Sequence, residues 1–242
     1  MVGGRPAREG PRSSSRTISL LLGGQGMRAT EARVAEWTAR LVQIPSVNPE
    51  QAGPRAGEPG EARIAAEVAR WFAGLGGEVQ TEEYLPGRPM VCGIWPGRTG
   101  RWAALDVHVD TVGVESMLGD PFSGEIRGGR VWGRGAVDTK ASLGVALAVL
   151  EQMHAAGRQP EPNLLVAATV DEEVGARGAP QFRDWVRSQG LSLDELLVAE
   201  PTHCFPVHGH KGGVRVELEV QGEPAHSSQP HLGKNAITGA AH

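Results

Sequence analysis

Leu164-Leu-Val-Ala-Ala-Thr-Val170-Asp-Glu-Glu173 is an unbroken apolar run that ends in three acidic residues. Seven residues bounded by turn signals are the length of a strand, and a half-exposed strand would alternate apolar with polar. The run therefore predicts a strand buried on both faces. Helical patterns flank it. Upstream, Leu143, Leu147, Leu150 and Met153 share one face of a helix that starts near Asp138 and ends at Gly157. Downstream, Phe182, Trp185 and Val186 mark another helix, and Leu196–Ala199 a second short buried strand. Helices alternating with buried strands predict an α/β layered domain.

Further upstream, Val34, Trp37 and Leu41 recur at helical spacing before Pro45, and Ile64, Val68, Trp71 and Leu75 do so before Gly76-Gly77. The stretch between them, Asn48 to Gly60, is a Pro/Gly-rich loop. Strands are expected over 78–84, 90–95 and 102–108, and a hairpin over 125–132 about Gly128-Gly129. After Pro206 the pattern changes. Val214, Val216, Leu218 and Val220 alternate with Arg215, Glu217 and Glu219, predicting a half-exposed strand in an antiparallel sheet, and a helix starts near Asn235. The chain is thus divided into a leader, 1–29, disordered or an over-extended start; a catalytic α/β domain, 30–206; and the start of a second domain, 207–242.

The 242 residues carry a net charge of −4, so no bulk positive field exists to hold nucleic acid or an anionic membrane. The leader's apolar run, Ile18–Leu22, is too short for a signal core or a membrane span. Cys92 and Cys204 lack CxxC spacing, which argues against a disulfide framework or a thiolate zinc site and fits a reducing cytoplasm. There is no G-x-S-x-G around a serine and no G-x-x-x-x-G-K-[ST], and Gly133-Arg-Gly135 fails the dinucleotide pattern at its third glycine.

Candidate chemistry gathers at strand ends. His108 and Asp110 follow one strand, Asp171-Glu172-Glu173 the next, Glu200 a third, and Asp138 follows a Gly-rich turn. Each has a plainer reading alone: a turn residue, a solvated acidic loop, a helix N-cap for Asp138. Together they lie where open α/β sheets bind ligands, beyond the carboxyl ends of strands. Converging carboxylates repel unless a cation sits among them, and one imidazole with several carboxylates suits Zn²⁺, Mn²⁺ or Co²⁺.

These segments resemble a known family. Leu105-Asp-Val-His108-Val-Asp110-Thr-Val112, Gly133-Arg-Gly-Ala-Val-Asp138-Thr-Lys140, Val170-Asp-Glu-Glu173-Val-Gly175 and Glu200-Pro-Thr202 are similar to the successive metal-site motifs of one metallopeptidase and amidohydrolase family. It includes aminoacylase, acetylornithine deacetylase, succinyl-diaminopimelate desuccinylase and glutamate carboxypeptidase. The loop Ile44-Pro-Ser-Val-Asn-Pro49 also resembles its early loop. The resemblance implies a zinc-peptidase-like catalytic domain with a mainly parallel central sheet, and two divalent ions, zinc foremost and cobalt or manganese as substitutes. It implies that Asp138 bridges the ions, that His108 and Glu200 complete one and Glu173 binds the other. Asp110 would hold the His108 ring, and Glu172 would be the general base.

Lys211-Gly-Gly, Pro224-Ala-His226-Ser-Ser and Gly233-Lys-Asn-Ala-Ile237 resemble the opening of the family's α+β lid or dimerisation domain. There His226 would reach into the partner subunit's site and stabilise the oxyanion; His203, His208, His210 and His231 are expected to be surface residues. The implied activity is removal of an acyl group from an N-acyl amino acid in a cytoplasmic homodimer, with a small-peptide carboxypeptidase or dipeptidase as the alternative. The family's late histidine and its substrate-carboxylate clamp have no counterpart in the 242 residues. The chain is therefore expected to be C-terminally incomplete, and a non-catalytic metal-binding product is the further alternative.

Overall fold

A computed structural model of the protein describes residues 29–214 and 216–241. The expected leader lies outside them up to residue 28. The chain divides into two compact units, with the division between Phe205 and Pro206.

In the first unit, helix α1 (Glu31–Val42) starts at Thr30, whose side chain accepts from the Arg33 N–H. Helix α2 (Ala62–Gly74) buries Ile64, Ala65, Val68, Trp71 and Phe72 on one face. It ends in a left-handed turn at Gly76, φ 79°, with Gly77 N–H bonded to the Phe72 carbonyl and Gly76 N–H to that of Ala73. Strands β1 (Glu78–Leu85), β2 (Arg88–Trp95) and β3 (Trp102–His108) follow, then the hairpin β4 (Glu125–Arg127) and β5 (Arg130–Trp132), turning at Gly128-Gly129. Helix α3 (Lys140–Ala155), β6 (Asn163–Thr169), α4 (Gly178–Ser188) and β7 (Glu195–Val198) complete the unit.

The main sheet has the order β1-β2-β6-β3-β7. It is mixed: β6, β3 and β7 run parallel, while β1 and β2 add an antiparallel wing. Strand β6 sits at its centre, and its side chains serve two cores. Leu164, Val166 and Ala168 pack with α1, α2 and α3, while Leu165 and Ala167 pack with Phe182, Trp185 and Val186 of α4. A strand covered by helices on both faces has no reason to alternate, and this explains the unbroken run.

Three expectations need correction. Strand β7 forms but is not buried: Leu196 and Val198 are 53% and 56% exposed, because β7 pairs with β3 on one side only. Helix α3 begins at Lys140 with Thr139 at its N-cap, so Asp138 stands outside the helix and does not cap it. No strand forms among the described residues of 214–220, and Val214 and Leu218 are 91% and 83% exposed. Apolar alternation makes a strand only where a neighbour takes up its N–H and C=O groups. Among the described residues of this second unit the only pairing is an isolated bridge between Glu223 and Lys234. Helix α5 (Ala236–Ala240) does start where expected, capped by Asn235.

Cys92 lies buried against α4's side chains, and burial pushes its thiol well above the ordinary range, with Asp106 and Glu82 adding to the shift. It should resist alkylation in the native protein and label only on unfolding. Peptide mapping after iodoacetamide treatment, with and without denaturant, checks this; rapid native labelling of Cys92 would contradict the packing.

Candidate metal centre

The parallel strands β6, β3 and β7 lie side by side, so their carboxyl ends open on one crevice. The pairings of His108 with Thr169 and of Asp106 with Val198 set the ends level. His108 is the last residue of β3; just beyond the three strands come Asp110, Asp171-Glu172-Glu173 and Glu200. Asp138 arrives from the turn before α3. Its neighbour Thr139 donates through Oγ1 to the His108 carbonyl at 3.0 Å, fastening that turn to the strand end.

His108 is 4% exposed and its two nitrogens face different groups. Nδ1 lies 3.1 Å from the Asp110 carbonyl oxygen and 3.5 Å from Asp110 Oδ1. Nε2 lies 3.2 Å from Asp138 Oδ1 and 3.9 Å from Glu200 Oε1. A protonated ring donates from Nδ1 to Asp110 and from Nε2 to Asp138; once Nε2 gives up its proton, its lone pair is available to a cation. Two groups result, in each of which one ligand atom per residue lies within 4.8 Å of the others: His108 with Asp138 and Glu173, and His108 with Glu172 and Glu200. All five residues of the expected metal and base set are thus brought together. Glu172, rather than Asp138, is the residue that falls in with His108 and Glu200.

The electrostatics are those of a carboxylate cluster around one imidazole, whose charge only partly offsets burial at Glu173 and Glu200. Burial raises the Glu173 carboxyl above its ordinary range, and Asp138 raises it further. Glu200 is raised likewise by burial, with Glu172 and Asp138 adding to it. Burial opposes a His108 cation, but the hydrogen bond and charge of Asp110, with Glu172 and Asp138 beyond, outweigh it and lift His108 to about 9. A divalent cation would relieve these strains together. The donor set, imidazole and carboxylates with no thiolate, fits zinc, cobalt or manganese, and the exposure of Glu172 and Glu200 leaves access for a substrate.

Asp110, fully buried, does more than face the histidine. Its Oδ1 accepts the Glu172 N–H at 3.0 Å and its Oδ2 the Glu173 N–H at 3.2 Å. Behind it stand residues that sequence reasoning did not single out. Asn48 donates to Asp110 Oδ2 at 2.9 Å and to Asp171 Oδ1 at 3.0 Å. Asp171 also takes Arg177 Nε at 2.5 Å and Arg88 Nη1 at 2.9 Å, and Arg88 holds Glu61 through two bonds of 2.7 and 2.6 Å. Two signals were available, the position of Asp171 beside Glu172 and that of Asn48 in the loop 44–49; Glu61 and Arg88 lie far away in sequence.

Compared with known proteins, residues 104–242 match the model of peptidase family M20/M25/M40. That stretch is more than half of the chain and contains every residue of the site just described except those of the supporting network upstream. The chain belongs to peptidase family M20/M25/M40. Among curated family relatives, the succinyl-diaminopimelate desuccinylase of Methylibium petroleiphilum is 32% identical over 216 residues, 84% of this chain and 53% of that protein. The acetylornithine deacetylase of Vibrio campbellii is 32% identical over 183 residues, 74% of this chain and 47% of that one. The chain spans about half the length of the curated relatives it matches.

Solved structures agree on the fold. Human carnosine dipeptidase 1 superposes with a TM-score of 0.57 at 18% identity, covering 69% of this chain and 38% of its own. An M20 family metallo-carboxypeptidase of Sulfolobus solfataricus gives 0.57 at 19%, covering 68% and 36%. The family match extends through the second unit, which contains His226. There His226 is exposed, and its Nδ1 accepts the Ser228 N–H at 3.2 Å. His203, His208, His210 and His231 are exposed as expected. No helix among the described residues is long and apolar enough to cross a membrane.

Proposed function

We propose that this chain carries the metal site and general base of a metal-dependent hydrolase of linear amide bonds, acting on an N-acyl amino acid. The observation that carries the reading is the convergence of His108, Asp138, Glu172, Glu173 and Glu200 on one crevice. The relatives named above remove, by their names, a succinyl or an acetyl group from an amino acid, which supports a deacylase over a peptidase.

In this reading His108 and Glu200 would hold one zinc ion and Glu173 another, with Asp138 as a ligand shared by both. Such ions supply Lewis acidity, acidifying water and polarising an amide carbonyl. The remaining work falls to the chain's own side chains. Asp110 keeps the His108 proton on Nδ1, so that Nε2 is free to ligate. Glu172, exposed at the mouth of the crevice, takes a proton from the attacking water onto a carboxylate oxygen and delivers it to the departing amine nitrogen. His226 is assigned to the oxyanion of the partner's site in a homodimer. With Nδ1 accepting from Ser228, a neutral ring carries its proton on Nε2, where it donates. Residues 30–206 then form the catalytic domain and 207–242 begin the lid of a cytoplasmic enzyme.

The test is to titrate the purified chain with zinc or cobalt and assay it on N-acetyl and N-succinyl amino acids and on dipeptides. Two ions per chain with hydrolysis of an N-acyl amino acid is the expected result. Preference for dipeptides would move the substrate class to small peptides; one ion and no hydrolysis would replace the reading with a non-catalytic metal-binding protein.

A further inference from the structure

The geometry points to Asn48 as a positioning residue of this site: its carboxamide ties Asp110 to Asp171 and so fixes the turn that carries Glu172 and Glu173. Asn48 is fully buried in the loop between α1 and α2, where a parallel bridge joins Val47 to Thr111 and the Asn48 N–H bonds the Thr111 carbonyl at 2.8 Å. The backbone is thus fastened before the side chain acts. Both amide hydrogens of Nδ2 are used, one on each carboxylate, at 2.9 and 3.0 Å. The opposite orientation of the amide would set its oxygen against two anions, so the donor assignment follows from the surroundings.

The consequence lies at the turn after β6. Asp171 has φ 63°, in the left-handed region, where a non-glycine residue persists only if its neighbours over-determine it. On one side Arg88 and Arg177 hold its carboxylate; on the other Asn48 links it to Asp110, which itself receives the Glu172 and Glu173 N–H groups. Asn48 therefore closes a ring: loop, Asp110, the two glutamate amides, Asp171, and back to the loop. Without it, two buried carboxylates lose a shared donor and repel.

The inference rests on the reading of Glu172 and Glu173 as base and ligand, and its test separates the two. Asn48 also accepts the Glu50 N–H at 3.2 Å through Oδ1, capping the short 3-10 turn Pro49–Gln51. The variant Asn48→Ala removes all three bonds; Asn48→Asp keeps this cap and the side-chain volume but replaces the two N–H donors with a third carboxyl, which leaves at most one O–H donor for Asp110 and Asp171. Amide hydrogen exchange of the metal-free chain should show Glu172 and Glu173 exchanging about tenfold faster in both variants. Cobalt affinity, followed by its visible absorption, should fall by about tenfold or more. The control Phe182→Leu, in the α4 core on the other face of the sheet, should lower the melting temperature without either change. Wild-type exchange at Glu172 and Glu173 in Asn48→Ala overturns the assignment, as would equal loss of cobalt affinity in Phe182→Leu. Faster exchange in a chain whose wild type takes up no cobalt would uphold the positioning role and defeat the metal reading.

Discussion

Replacing Glu172 by glutamine is expected to reduce amide hydrolysis by about 10²–10⁴ while metal content stays at the wild-type level. Glutamine has the same shape and leaves the backbone N–H on Asp110 Oδ1 undisturbed, so the turn after β6 is retained. What it removes is an oxygen that can take and return a proton. The matching change at Glu173, which is half-buried and grouped with His108 and Asp138, should instead release metal. Metal analysis beside the turnover rate distinguishes the two glutamates. Because Glu172 also lies within ligand distance of His108 and Glu200, loss of metal in Glu172→Gln would make it a ligand and send the search for the base elsewhere.

Removing Arg88 is expected to have the largest effect on stability, about 3–5 kcal/mol for Arg88→Met. Arg88 is almost entirely buried and neutralises two carboxylates with fully buried side chains, Glu61 at 2.6 Å and Asp171 at 2.9 Å. Methionine fills much of the stem's volume, so the loss measures stranded charge rather than a cavity. The sign of its pH dependence follows. Burial opposes ionisation of Asp171, but Arg177, Asn48 and Arg88 outweigh it and hold its carboxyl below the ordinary range. A lowered folded-state value contributes stability above the usual carboxylate pKa of about 3.9, and that contribution is lost as pH falls below it. The Asp171 share of the difference between wild type and Arg88→Met should therefore hold from neutrality down to about pH 4 and shrink only below it, as the carboxyl takes up its proton. Urea titrations at pH 7 and at about pH 3 check this; an equal difference at both would mean that packing, not charge, holds Arg88 in place.

The legible parts of this fold are those whose cause is local. Strand β6 could be recognised because burial on both faces leaves an unbroken apolar run, and α2 because its apolar positions stop at the glycine that ends it. Strand β7 has a similarly apolar sequence yet lies exposed, because being at the edge depends on which strands pair, and among the described residues β3 is its only neighbour. The alternation over 214–220 is that of a strand, but no partner takes up its backbone groups among the described residues of its unit. Asp138 reads as a cap from its place before an apolar helix; only the approach of His108 Nε2 shows that its carboxylate faces the crevice instead.

By itself, then, the sequence determined the residue types at the strand ends and their order along the chain, which is enough for the family and for one imidazole among carboxylates. Tertiary structure alone decided which carboxylates face the crevice and which serve as anchors behind it. The physical reason is range. Periodicity and capping act over a few residues, whereas Asn48 meets Asp110 and Asp171 across 62 and 123 residues. Those bonds exist only once the order β6-β3-β7 has brought the strand ends together.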